Sequence, residues 1–279
     1  MSFDRLLGNE RLKENLTQSL KNGRISHFYL ISGPRGSGRK TLATLLAQAI
    51  LCQGHRKPCG ICDPCRKIQN HNHPDFITVE DPEHKAVAVK IVREAREDIF
   101  IRPNEAEYKV YLFPQELGIE GQNALLKILE EPPQYGVFIL LTDNAEKILP
   151  TVRSRCVELK LLPLEQSVLR RELERKFPQK DAADLSAAME RSGGFLGQAL
   201  ELLADDAAVS PQTEGFTKAF AEKNSLGLAS TLAPMEKWKR DALTEELEQW
   251  LNILCSAQLC RAGMEVTHSG ARQIAAARS

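Results

Sequence analysis

The feature that most constrains the fold of this chain is a glycine-rich segment, GPRGSGRKT, which occupies residues 33–41. An apolar run typical of a buried strand precedes it at 28–31, and a helical pattern follows it at 41–51. A strand, a glycine turn and a helix in this order form a phosphate loop, in which backbone N–H groups surround phosphate oxygens. The three segments therefore predict an α/β domain with a phosphate-binding scaffold.

The register of this loop departs from that of a working ATP site. A working loop has the spacing GxxxxGK followed by Ser or Thr, whose hydroxyl binds Mg²⁺. Gly33 and Gly38 keep this spacing, but Arg39 then occupies the lysine position and Lys40 the hydroxyl position. Lys40 adds a cation beside the expected metal, and two unit charges about 4 Å apart repel by about 4 kcal/mol near a protein surface. We therefore predict a degenerate nucleotide loop that does not hydrolyse ATP and whose ATP binding is doubtful, formed by Gly33, Gly36, Gly38, Arg39, Lys40 and Thr41.

Strand-like and helical patterns alternate through the first part of the chain. A first helix is expected after Asn9, whose side chain can act as its N-cap. Apolar runs of strand length then occur at 76–80, 110–113, 137–141 and 157–161, and helical patterns occupy 89–100 and 121–131. Such alternation is typical of a parallel sheet that is covered by helices on both faces.

Every periodic segment after Pro163 is helical. The polar stretch 205–215 is the best candidate for a linker, and 235–262 contains neither Gly nor Pro and is expected to form one long helix. These patterns predict an α/β domain at 1–162, a small helical domain at 163–205 and an all-α domain at 206–279.

Four cysteines form a cluster of their own: Cys52, Cys59, Cys62 and Cys65. Four closely spaced thiolates suit a tetrahedral zinc ion, and a full set of protein ligands leaves no position for water, so the site is expected to be structural. Two disulfides are disfavoured in a reducing compartment, and four free thiols are rare at such density. The sequence also leaves open a substitution by a nearby histidine, namely His55, His71 or His73.

Charge and hydropathy exclude several classes of protein. Lys+Arg and Asp+Glu number 37 each, which argues against a dedicated basic nucleic-acid binder. No window approaches the length of an apolar transmembrane segment, and the N-terminal residues carry charges where a signal peptide would be apolar. We expect a cytoplasmic protein that does not contact membranes.

Four segments resemble the AAA+ subunits of bacterial DNA polymerase III clamp loaders: GNERLKENLTQSLKNGRISHFYLISGPRGSG at 8–38, the cysteine cluster, QNALLKILEEPP at 122–133, and Ser154-Arg155-Cys156. The resemblance covers nearly all of residues 3–200. It implies an AAA+ domain with a zinc-binding insertion, a helical lid at 163–205 and a helical collar from 206 that looks short for the family. It also implies a ring with delta and tau/gamma subunits that acts on the sliding clamp and primer–template DNA.

Within this family, the chain is most similar to the non-hydrolysing delta-prime type. The motor subunits carry Asp-Glu after the strand that corresponds to 110–113, whereas Pro114-Gln115 follow here and Glu116 comes two residues late. The lid pattern GxxRxAL would place an arginine at position 197, which is Gly197 here. An active tau/gamma-like motor is the alternative; a zinc-dependent DNA-binding protein is a weaker one, because the net charge is zero.

The resemblance assigns a role in trans to Arg155. In the family, the arginine of Ser-Arg-Cys reaches the ATP held by a neighbouring motor subunit, and Arg155 matches that position. Such an arginine finger spreads positive charge over the phosphoryl group that is being transferred. Arg153 is the alternative if the register differs. The sequence thus predicts a subunit that supplies a catalytic group to its neighbour.

Overall fold

The computed structural model describes residues 3–204, 210–263 and 269–277. The chain divides into two compact units, one formed by 1–178 with 189–199 and the other by 179–188 with 200–279. None of the helices in the described ranges is both long and apolar enough to span a bilayer. The predicted division into three domains at 162 and 205 stays a prediction.

The first unit contains a parallel five-stranded sheet. The strands of the described chain are β1 Phe28–Ser32, β2 Phe76–Thr78, β3 Ala86–Val87, β4 Lys109–Phe113, β5 Glu116–Leu117, β6 Gly136–Thr142 and β7 Val157–Lys160. The sheet has the order β2-β4-β6-β1-β7, and β3 pairs separately with β5. β1 is central, because Phe28 pairs with Phe138 of β6 and Tyr29 with Val157 of β7. The predicted parallel α/β sheet is confirmed.

The helices include those predicted after Asn9 and at 41–51, 89–100 and 121–131, and others, such as those at 63–69 and 150–153, that the sequence patterns did not predict. They are α1 Glu10–Lys21, α2 Arg39–Leu51, α3 Asp63–Gln69, α4 Val89–Asp98, α5 Ile119–Glu130, α6 Pro150–Arg153, α7 Gln166–Lys176, α8 Ala182–Arg191, α9 Leu196–Ala204, α10 Pro211–Ala221, α11 Ser225–Leu232, α12 Arg240–Arg261 and α13 Ser269–Ala276. Short 3₁₀ turns occupy Ala145–Lys147 and Ala233–Lys237.

The three central strands, β1, β4 and β6, are buried on both faces, and their alternate residues serve different cores. Tyr29 and Ile31 belong to the core that includes buried residues of α1 and α2. Phe28 and Leu30 belong to the core beneath α4, α5 and α6, where the Phe28 and Phe138 rings stack with centroids 4.8 Å apart. Continuous apolar strands are the expected result of this two-sided burial, since neither face meets water.

The second unit is helical, and its centre includes a polar side chain. Trp250 of α12 stacks on Phe216 of α10 with ring centroids 4.2 Å apart. The buried carboxylate of Glu246 accepts hydrogen bonds from Ser210, from Thr213 Oγ1 at 2.5 Å and from Trp250 Nε1 at 3.2 Å. These bonds satisfy a buried acidic group that would otherwise destabilise the unit.

Three local predictions were wrong. Asn9 precedes α1, but its side chain accepts a hydrogen bond from Leu162 N at 2.9 Å instead of capping the helix. The expected linker 205–215 contains the start of α10 at Pro211, while its residues 205–209 lie outside the described ranges. The long helix begins at Arg240, because a 3₁₀ turn occupies Ala233–Lys237.

Candidate functional site

The loops that follow β1, β4 and β6 meet at one edge of the sheet. All three strands are parallel neighbours, so their carboxyl ends lie side by side. The strand order also reverses around β1, and in open α/β sheets such a switch point forms the usual ligand crevice. The glycine-rich loop therefore has the setting that its sequence predicted.

The predicted phosphate loop is a real turn at the N-terminus of α2. Gly36 has φ +77° and Gly38 has φ +95°, backbone conformations that side chains with a Cβ rarely adopt. Arg39 opens α2 and is partly buried, whereas Lys40 and Thr41 are exposed. Ser37 Oγ is buried and has no hydrogen-bond partner among the described residues. The loop thus keeps its scaffold, but its late lysine and threonine lie on the surface.

A charge-balanced cluster occupies the edge next to Arg39. Lys147 Nζ lies 3.0 Å from Glu116 Oε1 and 3.0 Å from Asp143 Oδ1. A hydrogen bond shared with Glu116, together with Lys147, lowers the pKa of Asp143, and the two carboxylates raise the pKa of Lys147. Burial lowers the pKa of Arg39, while the nearby charges of Asp143 and Glu116 oppose that effect. Two cations thus face two carboxylates, and both carboxylates are already paired with a lysine.

The residue that follows Pro114 supports a neighbouring loop. Gln115 Oε1 accepts from Asp81 N at 2.6 Å. Its Nε2 donates to Asp81 O at 2.9 Å and to His84 O at 2.8 Å. In this chain the position is therefore occupied by an amide that ties the 81–84 turn to the end of β4.

The two candidate arginines near 154 have different surroundings. Arg153 donates from Nε and Nη2 to Glu158 Oε2 at 3.1 and 2.9 Å, which holds it against β7. Arg155 donates to Thr151 O at 2.9 Å and lies 3.4 Å from Glu130 Oε1, and its side chain is 40% exposed. Cys156 next to it packs on the core, where burial raises the pKa of its thiol to about 12. The two side chains are exposed to a similar extent, 43% for Arg153 and 40% for Arg155, but Arg155 makes the longer contact with its carboxylate, on a backbone anchored by Cys156.

The four predicted thiols converge on one point. Their sulfur atoms all lie within 4.8 Å of one another, and Cys52 Sγ lies 3.8 Å from Cys62 Sγ. A tetrahedral zinc ion with Zn–S bonds of about 2.3 Å places its sulfur atoms about 3.8 Å apart, so the spacing fits this metal. A β-carbon on Gly54 would lie 3.1 Å from Cys59 Sγ, so a side chain there would crowd the cluster.

Backbone contacts prepare this cluster for thiolates. Cys52 Sγ accepts from Gly54 N at 3.3 Å, and Cys59 Sγ accepts from Cys62 N at 3.3 Å. Partial burial would raise the pKa of Cys59, but backbone N–H groups outweigh it and lower the pKa to about 6. Burial raises the pKa of Cys65 and Cys52, so a metal ion must displace their protons when it binds.

The cluster is attached to the sheet domain through α2. Gln48 Nε2 donates to Cys65 O at 2.8 Å, and both residues are buried. None of the three histidines joins the four sulfurs in the metal-ligand cluster found among the described residues. His73 instead accepts a hydrogen bond from Asp75 N at 3.0 Å through Nδ1.

Sequence reasoning missed the polar partners of these sites. Asp143 and Lys147 follow β6, and their pairing with Glu116 joins residues 27 to 31 positions apart, which no local motif reveals. Glu130 lies at the end of α5 and meets Arg155 only through the tertiary fold. The position of Asp143 directly after a buried strand was the one available signal.

The family model and the relatives that match this chain agree with one another. The family described as "DNA polymerase III, delta subunit" matches residues 8–165. DNA polymerase III subunit tau of Escherichia coli K12 is 33% identical over 226 residues, covering 78% of this chain and 35% of the relative. DNA polymerase III subunit gamma/tau of Mycobacterium tuberculosis H37Rv is 39% identical over 158 residues, covering 55% of this chain and 27% of the relative.

The match to a third relative includes a larger share of the relative's own length. DNA polymerase III subunit gamma of Buchnera aphidicola subsp. Schizaphis graminum is 34% identical over 210 residues, covering 72% of this chain and 57% of the relative. The chain thus spans between 27% and 57% of the length of these three proteins.

Proposed function

The chain belongs to the clamp-loader AAA+ family, in the DNA polymerase III delta-subunit group, and from this membership we propose that it is a non-hydrolysing subunit of the delta-prime type. In this role it forms part of a clamp loader that places the sliding clamp on primed DNA. It does not turn over ATP itself and supplies Arg155 to the ATP site of a neighbouring motor subunit.

The charge-balanced cluster supports the proposal that the chain does not hydrolyse ATP. ATP hydrolysis needs Mg²⁺, and a carboxylate beside the phosphate loop normally helps to hold that ion. Here Glu116 and Asp143 share the Lys147 ammonium at 3.0 Å each, and Arg39 lies in the same field of charge. A metal ion would have to displace Lys147, and it would lack the hydroxyl ligand, because Lys40 occupies that position of the sequence motif.

The alternative is an active motor subunit, and the relatives favour it on one point. The three relatives described above are all named tau or gamma subunits. The loop register and the Pro114-Gln115 pair oppose this alternative, because both depart from the residues that bind Mg²⁺ and activate water. Hydrolysis by the chain on its own distinguishes the two functions.

We expect the purified chain alone to show no Mg²⁺-dependent ATP hydrolysis above background. Phosphate release is measured with excess ATP, and a tau/gamma subunit assayed in parallel serves as the active control. Mixing the chain with delta and tau/gamma subunits should then yield a complex that co-elutes in gel filtration and hydrolyses ATP. Turnover by the isolated chain at the rate of the control would establish the motor alternative instead.

The environment of Arg155 supports its action in trans. Its guanidinium is held by one backbone carbonyl and by Glu130 at 3.4 Å, an exposed contact that contributes at most about 1 kcal/mol. A triphosphate on a neighbouring subunit carries more charge than one carboxylate and would compete for the guanidinium. Arg153 makes two hydrogen bonds to Glu158 and is less free to turn outward.

We assign the thiol cluster to a structural zinc ion. Cys52, Cys59, Cys62 and Cys65 would hold the ion, and their sulfur spacing fits a tetrahedron. All four positions are filled by protein ligands, so the metal stabilises the loop between α2 and α3 and takes no part in a reaction.

The helical unit after 205 is proposed to be the collar that joins the ring. Three leucines of α12 that share one side of the helix are exposed by 44–60%: Leu247, Leu251 and Leu259. Exposed leucines at this spacing are typical of helix–helix contacts between subunits. The proposed partners are delta and tau/gamma subunits in the cytoplasm, with the sliding clamp and primer–template DNA contacted through the assembly.

A further inference from the structure

The tip of the phosphate loop touches the backbone at the start of α9. Gly197 N donates a hydrogen bond to Gly36 O at 2.9 Å. A β-carbon on Gly197 would lie 2.5 Å from Gly36 Cα, and a β-carbon on Gly36 would lie 2.5 Å from Gln198 N. Real β-carbons essentially never approach other atoms so closely, so glycine is required on both sides of the contact.

The segment that carries Gly197 is fixed at its other end as well. Leu164 N donates to Gly194 O at 2.9 Å, and a β-carbon on Gly194 would lie 2.7 Å from Pro163 Cβ. Gly194 also has φ +87°, a left-handed conformation suited to glycine. Ala199, one turn into the helix, is fully buried. Residues 194–199 are therefore held by a backbone contact at each end.

We propose that the Gly36–Gly197 contact is a clasp that keeps segment 194–199 on the phosphate loop without any nucleotide. An arginine at position 197, which the lid pattern of an active enzyme would place there, has a β-carbon and cannot occupy this geometry. The inference deepens the proposed non-hydrolysing function and rests on it. It adds that the geometry of this part of the lid does not depend on ATP.

The clasp also disfavours nucleotide binding, in addition to the changed residues of the loop. The carbonyl of Gly36 is engaged by Gly197, and the backbone of the next residue, Gln198, lies against the same glycine. A ligand that requires segment 194–199 to move away must first break this contact. Its apparent affinity equals the affinity for the open form multiplied by the fraction of molecules in which the clasp is open.

Gly197→Ala tests the clasp, because loss of the clasp lowers the stability of the protein whereas the higher helix propensity of alanine would raise it. Within a helix, Ala is favoured over Gly, so this change would normally stabilise α9. We expect a lower melting temperature instead. We also expect about tenfold faster amide exchange in 33–41 and 194–199, the change that accompanies loss of one net backbone hydrogen bond of about 1.4 kcal/mol.

Gly121→Ala is the matched control. Gly121 is the third residue of α5, and its added β-carbon would make only ordinary contacts, the nearest with Val92 Cγ2 at 3.5 Å. This variant should keep or raise the melting temperature and leave exchange in the loop unchanged. If Gly197→Ala behaves like Gly121→Ala, the clasp does not exist.

The unmodified chain provides a second test that does not depend on folding of a variant. Amide exchange of 33–41 and 194–199 is measured with and without excess Mg·ATP, and we expect the same rates in both. Strong protection by Mg·ATP would overturn the clasp. The outcome is separable from the proposed function, because a chain can lose the clasp and still fail to hydrolyse ATP, and only the phosphate-release assay reports hydrolysis.

Discussion

Replacing Arg155 with alanine is expected to slow hydrolysis at the neighbouring motor subunit's ATP site by about 10³-fold or more. An arginine finger neutralises charge that develops on the transferred phosphoryl group, and no other exposed cation of the 150–156 segment is as weakly held. The measurement is single-turnover hydrolysis in the reconstituted loader. One site's share of ATP should remain unhydrolysed after the other sites have reacted.

Arg153→Ala is the control for this experiment. Arg153 lies two residues away and carries the same charge, but its two hydrogen bonds to Glu158 hold it on β7. Its loss should leave the amplitude of single-turnover hydrolysis unchanged. Assembly of both variants is checked by gel filtration, so that a failure to form the ring is not mistaken for loss of a finger. Full hydrolysis in the Arg155→Ala complex would contradict the proposal that Arg155 acts at the ATP site of the neighbouring subunit.

The second large effect concerns the thiol cluster. Cys65→Ser is expected to abolish zinc binding, because a serine hydroxyl does not replace a thiolate ligand and Cys65 is fully buried. In zinc modules the metal supplies about 10–16 kcal/mol of apparent folding free energy, so residues 52–65 should exchange their amides at the rates of an unfolded loop. Elemental analysis should find one zinc per unmodified chain and none in the variant.

Cys156→Ser separates this effect from the general loss of a cysteine. Cys156 is also partly buried, but it packs on the core of the sheet and lies outside the cluster. The Cys156→Ser variant should therefore retain one zinc ion per chain, while the free energy of unfolding of the sheet domain falls. Zinc retained by Cys65→Ser, or absent from unmodified protein purified with zinc in the medium, would contradict the assignment.

The strands and the phosphate loop could be predicted because their signals are local. Continuous apolar runs mark strands buried on both faces, and the Gly33–Gly38 spacing fixes the loop register without knowledge of the fold. The convergence of Cys52, Cys59, Cys62 and Cys65 was predictable for the same reason, since short gaps force their sulfurs together.

The remaining features depend on tertiary contacts that no local pattern encodes. Asn9 has the residue type of a helix cap, but Leu162 offers a partner 153 positions away and its side chain turns there. The pairing of Lys147 with Glu116 and the meeting of Gly36 with Gly197 likewise join distant segments. The start of α12 at Arg240 differs from the prediction because helical spacing alone does not distinguish a 3₁₀ turn from the first turn of an α-helix.

The bonding of Gln115 determines how the fold would respond to an acidic residue at this position. Its amide both donates to and accepts from the 81–84 turn, so a glutamate in its place would direct a carboxylate at the carbonyls of Asp81 and His84. The contact with Asp81 is partly buried and that with His84 is exposed, so each lost hydrogen bond costs about 1 kcal/mol. For the proposed non-hydrolysing subunit, a single change to an acidic residue at position 115 would therefore weaken the fold before it could contribute to catalysis.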